Sequence, residues 1–136
     1  MADLVITAAS VKPVGSTAQT KLVQVGEAVA QGEAVFLDTS DNKHYKADAD
    51  LSLMAAKAIG VSLTPAATDG YCLVQIGGNV NLGATLVKGE LYCVSATGGA
   101  IAPFADLVSG DWITFLGVAS SASELILKPE YRNVQI

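Results

Sequence analysis

The segment VQVGEAVAQGEAVFLDT, which begins at Val23, returns 57 residues later as VNLGATLVKGELYCVSA from Val80. Gly26, Gly32 and Gly60 fall on Gly83, Gly89 and Gly117 with no gap, and Glu33 falls on Glu90. Each copy then closes in an apolar run, YCLVQI at 71–76 and LILKP at 125–129. Two copies of one supersecondary unit fit this better than a solenoid, which needs more repeats to bury its core. The competing reading is a coincidental likeness between two hairpins. A duplicated unit points to a scaffold, because the most patterned parts of the chain carry little chemistry.

Short runs of Val, Ile, Thr, Tyr and Phe, cut by Gly, Asp, Asn and Ser, predict strands near 3–7, 20–25, 33–38, 43–47, 56–63, 70–76, 78–82, 90–95, 112–119 and 124–128. Turns are expected at Ser40-Asp41-Asn42, Thr68-Asp69-Gly70, Gly77-Gly78-Asn79, Thr97-Gly98-Gly99 and Ser109-Gly110-Asp111. The expected fold is all-β, a small sandwich or barrel built from two related halves. At most one short helix is expected, over 50–57. In the expected organisation, residues 1–19 form an N-terminal arm broken by Pro13 and Gly15. Residues 20–129 form the duplicated domain, with units of about 23–76 and 80–128, and residues 130–136 form a tail.

At 136 residues the chain is one domain or two small fused halves. Apolar residues make up 51% and charged residues 15%, which excludes a disordered chain and leaves more uncharged surface than a solitary monomer needs. Covering by a partner or by further copies is therefore expected. The net charge is −5 and the one arginine is Arg132, so neither nucleic acid nor an anionic membrane finds a positive footprint. No apolar run reaches the ~18 residues of a membrane span. The opening MADLVITAAS lacks the basic start and apolar core of a secretory signal.

Few residues suggest chemistry. His44 is the single histidine, and nucleophile–base catalysis would depend on it, yet no GxSxG-like elbow accompanies any serine. No catalytic residue, cofactor or metal is therefore expected. Asp38, Asp41, Asp48 and Asp50 crowd together as hard-cation ligands do, but not at EF-hand spacing. The favoured reading is a polar turn in which Asp and Asn cap their own backbone. Cys72 and Cys93 leave a disulfide open in principle; buried, reduced thiols are the expectation. Trp112 reads as a core or interface anchor, in a strand with either Thr114 outward or Ile113 and Phe115 inward. Leu4-Val5-Ile6, Trp112, Tyr131, Val134 and Ile136 are the candidate contacts with a partner or with other subunits.

In VGEAVAQGEAVFL one glycine opens a turn, Val29 points inward, and a second glycine opens the next strand; Gly83, Leu86 and Gly89 repeat this. Biotinyl and lipoyl carrier domains use a similar hammerhead, which would set Lys43 near the modified position. The chain departs from them in reading SDNKHY at the tip, and the second copy has no lysine there. A more extensive resemblance runs from about residue 23 to 129. GEAVAQGEAVFLDTSDNKHYKADAD, AKAIGVSLTPAATDG, GELYCVSATGG and LGVASSASELILKP resemble the head decoration, or capsid cement, proteins of tailed bacteriophages. The resemblance implies a non-enzymatic virion protein on the capsid surface, assembled in the bacterial host cytoplasm. It implies a homotrimer that clamps neighbouring major capsid subunits. It transfers no residue-level site. A tail, baseplate or fibre module and a sugar-binding module are the remaining alternatives.

Overall fold

The computed structural model describes residues 3–136, so the first two residues of the expected arm lie outside the described residues. The chain is almost wholly β, a curled antiparallel sheet that forms a half-barrel. Its strands are β1 (Lys12–Pro13), β2 (Gln19–Gln24), β3 (Ala34–Asp38), β4 (Lys43–Lys46), β5 (Ala58–Ser62), β6 (Tyr71–Asn81), β7 (Leu91–Val94), β8 (Ile101–Pro103), β9 (Trp112–Ala119) and β10 (Glu124–Gln135). They pair in the order β4-β3-β5-β6-β10-β9-β7-β8, with β1 and β2 also on β6. The described helical structure is two three-residue 3-10 turns, Ala8–Ser10 and Phe104–Asp106. The helix expected over 50–57 is a set of tight turns, including Ala56 N–H to Ser52 O.

The two halves share one hydrogen-bonding plan. In the first, Ala34 pairs with Val61, Val35 with Gly60, and then a bulge brings Phe36 opposite Ala58. In the second, Leu91 pairs with Val118, Tyr92 with Gly117, and a bulge brings Cys93 opposite Phe115. Every partner is displaced by 57 positions, bulge included. The β3–β4 register recurs in β7–β8 at the same displacement, Val35 on Lys46 matching Tyr92 on Pro103. Gly32 and Gly89 enter β3 and β7 with φ of 91° and 86°, a region glycine occupies without steric cost. Their amides donate to Ser62 O and Ala119 O, again equivalent positions. The halves differ in one hairpin. Val61 pairs with Gln75, fourteen positions on, whereas Val118 pairs with Ile126, eight positions on.

Each half encloses its own core. Val23, Val25, Val29, Val35, Cys72 and Val74 fill the first. Their counterparts Val80, Leu82, Leu86 and Tyr92, each 57 positions on, fill the second, with Leu125 in the place of Val74 and Leu127 beyond it. The second core is continuous with the contact between halves, where Ala34, Phe36, Ala58 and Val61 are buried.

Four expectations need correction. Gly77-Gly78-Asn79 is not a turn: it is a bend inside β6, which runs through both halves as one strand. β6 is paired on both sides of the bend, with β2 and β5 before it and with β10 and β1 after it, so the chain needs no reversal there. Residues 130–136 are not a tail outside the fold. β10 accommodates Pro129 at a bulge between Leu127 and Glu130 and re-pairs with β9 through Glu130, Tyr131 and Gln135. A bulge removes the ladder bond that proline cannot make. Residues 3–7 form no strand and the arm is not free. Leu4 N–H donates to Ile101 O at 2.8 Å, Leu4 and Ile6 pack on the core, and Val11 is buried. Finally, neither orientation expected around Trp112 holds. Thr114, Leu116 and Ala119 face in while Phe115 and Val118 face out, because the bulge at Leu116 changes the alternation. Thr114 tolerates burial because its hydroxyl donates to Ala56 O at 2.5 Å.

Gly60 and Gly117 hold the bulges close to the neighbouring strand. A Cβ on Gly60 would lie 2.1 Å from Gln75 O, and one on Gly117 would lie 2.0 Å from Ile126 O. Backbone cannot yield to this as a flexible side chain would. Gly60→Ala and Gly117→Ala are each expected to destabilise the fold by roughly 1–3 kcal/mol or more. Gly89→Ala meets nothing within 4 Å, so it bears only the backbone strain of positive φ. Thermal melts should rank both Gly60→Ala and Gly117→Ala below Gly89→Ala. Equal melting temperatures for all three would contradict this account of the bulges.

Candidate functional site

The candidate contact residues separate into two places. β9–β10 pairing sets Tyr131 opposite Thr114 and Gln135 opposite Trp112, which brings Trp112, Tyr131, Val134 and Ile136 to one end of the sheet. Trp112 is half-buried and its backbone N–H donates to Ala49 O at 2.7 Å. The Tyr131 ring lies under the Lys57 ammonium, 5.0 Å from its centroid. Val134 and Ile136 are exposed, and the Ile136 backbone bonds to Asp111 O and Gly110 N–H. Leu4, Val5 and Ile6 lie apart from these, beside Ile101 of β8 and over Gly32. Leu4 and Ile6 face the core, and only Val5, 87% exposed, points away.

An apolar surface groove stands apart from all the candidate contacts named from the sequence. On the outer side of β7, β9 and β10, Leu91, Phe115, Gly117, Val118 and Ile126 line an apolar groove of about 220 Å³, with Lys128 and Glu130 also lining it. Leu91 is 38% exposed, Val118 37% and Ile126 48%. The Phe104 ring meets Phe115 edge to face at 5.3 Å, and the Arg132 guanidinium lies 5.9 Å from the Phe115 centroid. A second groove, of about 460 Å³, opens on the first half between Leu37, Thr39, Leu53, Met54, Lys57 and Ile59. The signal was present in WITFLGVA, a strand apolar on both faces where one buried face needs only alternation.

The chemistry-bearing residues are occupied structurally. His44 is 5% exposed, and among the described residues neither ring nitrogen reaches a partner at hydrogen-bond geometry. Burial, with the Lys21 charge second, pushes its pKa below the ordinary value; the nearby Gln24 backbone offsets part of this. The four aspartates do not converge. Asp38 accepts from Ser40 N–H and hydroxyl, and Asp41 accepts from Lys43 N–H and, at 2.5 Å, from the Tyr45 hydroxyl. That bond holds the Asp41 carboxyl low and pushes the Tyr45 phenol up to about 12. Asp48, raised chiefly by burial, accepts from Asp50 N–H beyond β4. Among the described residues no three His, Cys, Asp or Glu side chains are grouped to hold a metal ion. Lys43, the position a biotinyl or lipoyl carrier would modify, is paired with Asp69 at 2.7 Å. Cys72 and Cys93 are buried free thiols; burial raises both and takes Cys93 to about 12.

Among the described residues no helix is long and apolar enough to cross a membrane. No protein-family model matches the chain, and no curated protein matches it at a significant level.

His44 yields a pH prediction with a defined sign. Its folded pKa lies below its unfolded value near 6.5, so the unfolded chain takes up the proton first as pH falls. The contribution is present above pH ~6.5 and is lost on acidification toward the folded pKa. His44→Leu should remove this part of the dependence. Melts at pH 7 and pH 5 are expected to fall further for the parent chain than for the variant. Equal falls would show that the ring is not held neutral.

Proposed function

We propose that this chain is a non-enzymatic structural protein of a tailed-phage virion. In this reading it is a head decoration protein that binds the outside of the capsid and clamps neighbouring major capsid subunits, self-associating as a homotrimer. The observation that carries the reading is the amount of large apolar side chain left outside so small a molecule. Val5, Leu22, Leu51, Tyr71, Val87 and Ile126 all stand exposed, while only two ion pairs form among the described residues. Surfaces of this kind are suited to being covered by other protein. The doubly cored scaffold supplies the rigidity a clamp requires, and the resemblance over residues 23–129 supplies the partner. A buried, unpaired His44 and aspartates committed to turns favour a binding role over a hydrolytic one.

Co-sedimentation with phage heads stripped of their decoration tests the proposal. Purified protein is expected to bind saturably, in fixed ratio to the major capsid protein, and to raise the temperature at which heads rupture. Binding confined to tails would favour a tail or baseplate module instead. Absence of saturable binding to either particle would overturn the virion reading.

A further inference from the structure

The two halves meet through unlike surfaces. The first half presents the outer face of its sheet, Ala34, Ala58 and Val61, with Ala47, Ala49 and Ala55 from the segment after β4. The second presents Val94, Leu116 and the turn between β7 and β8. Backbone bonds join them: Ala34 N–H to Gly99 O at 3.0 Å, Gly99 N–H to Ala47 O at 2.8 Å, and Ala49 N–H to Ser95 O at 2.9 Å. The Thr114 hydroxyl adds its bond to Ala56 O.

A joint of unlike surfaces between like halves leaves one of each surface unused. On the second half the unused face is the one equivalent to the alanine face, namely Leu91, Phe104, Trp112, Phe115 and Val118, where the 220 Å³ groove lies. On the first half the unused surface is Leu37, Ile59 and the exposed turn at 39–42, where the 460 Å³ groove lies. The turn keeps a left-handed residue at the equivalent position, Asn42 with φ of 60° where Gly99 has 80°, although the Asn42 N–H closes on Asp38 O whereas the Gly99 N–H crosses the joint to Ala47 O.

The residue exchanges between the copies point the same way. Ala34, Ala47, Ala55 and Ala58 are buried where the joint is filled, and become Leu91, Phe104, Trp112 and Phe115 where it is open. A sheet face meant for water carries polar residues. This one carries aromatic residues, which anchor protein contacts out of proportion to their number.

We infer that the open face of the second half receives the first half of a second copy, head to tail, through the same pair of surfaces that meet within the chain, with the larger side chains rather than backbone bonds making the contact. This deepens the self-association proposed above and requires no capsid. A contact between unlike surfaces is heterologous, and a succession of such contacts closes as a ring if the rotation allows.

The repeat also supplies the test. Gly99 lies against Glu33 so closely that an added Cβ would crowd the Glu33 side chain, so Asn42 of one copy should stand beside Glu90 of the next, with a slightly wider separation there bringing two cysteines into disulfide range. Asn42→Cys and Glu90→Cys are made in separate chains, leaving Cys72 and Cys93 in place as buried thiols. Under mild oxidation a cross-linked heterodimer is expected in the mixture and not from either variant alone. Adding Val118→Asp, on the exposed face, to the Glu90→Cys chain should reduce the cross-link by at least tenfold while leaving the circular dichroism unchanged. Cross-linking of either variant with itself would show symmetric face-to-face packing and overturn the inference. So would a mixture that yields no heterodimer and sediments as monomer. Head binding is measured separately, so either result leaves the virion reading to its own test.

Discussion

β6 is the element on which the rest depends. Its first part closes the first half against β2 and β5, and its second part opens the second half against β10 and β1. Between them the strand must bend without losing pairing. Gly78 takes φ of 86° within contact distance of the Thr17 carbonyl, a position with no room for a side chain. The fully buried Gln75 amide spans the bend and donates to Gly77 O at 3.1 Å and to Asn79 O at 2.9 Å. The Asn79 carbonyl also accepts from Val14 N–H at 3.0 Å, so there the amide adds a second bond to a carbonyl the backbone already satisfies. The Gln75 Oε1 has no partner among the described residues, so the brace carries a local cost.

From that shared strand the two halves inherit one geometry with different contents. Valines and a cysteine line the first core, whereas Val80, four leucines and Tyr92 line the second. The Tyr92 hydroxyl accepts from Val87 N–H at 2.9 Å, so the larger ring brings its own polar satisfaction. Backbone register is conserved more strictly than side-chain volume because the bulges and the glycines beside them leave no slack. A one-residue slip would send Val35 or Tyr92 to the wrong face.

The glycine spacing made the duplication legible, since Gly32, Gly60, Gly89 and Gly117 are demanded by backbone alone. Most strands were legible from β-branched runs bounded by polar turns. What stayed hidden depended on partners distant in sequence. Gly77-Gly78 has the composition of a reversal, and only pairing on both sides of β6 makes it a bend. Pro129 looks like a terminator until the bulge opposite β9 absorbs it. The outward direction of Phe115 follows from the bulge at Leu116, which no period-two reading anticipates. The apolar outer face was legible in principle, because aligning the copies sets four alanines against Leu91, Phe104, Trp112 and Phe115. Of the candidate contacts chosen from the chain ends, Val134 and Ile136 are exposed, whereas Leu4 and Ile6 pack on the core.

The alanine face of the first half also has a consequence during synthesis. Its cover, Val94, Leu116 and the turn around Gly99, lies far downstream, so a nascent chain exposes Ala34, Phe36, Ala58 and Val61 until those residues emerge. On neighbouring nascent chains the second half of one molecule offers the same cover to the first half of another. Half-exchange is then a low-barrier error, because the swapped contact reproduces the native one bond for bond. Folding fidelity would rest on β6, which tethers each second half to its own first half and raises its local concentration above that of any neighbour.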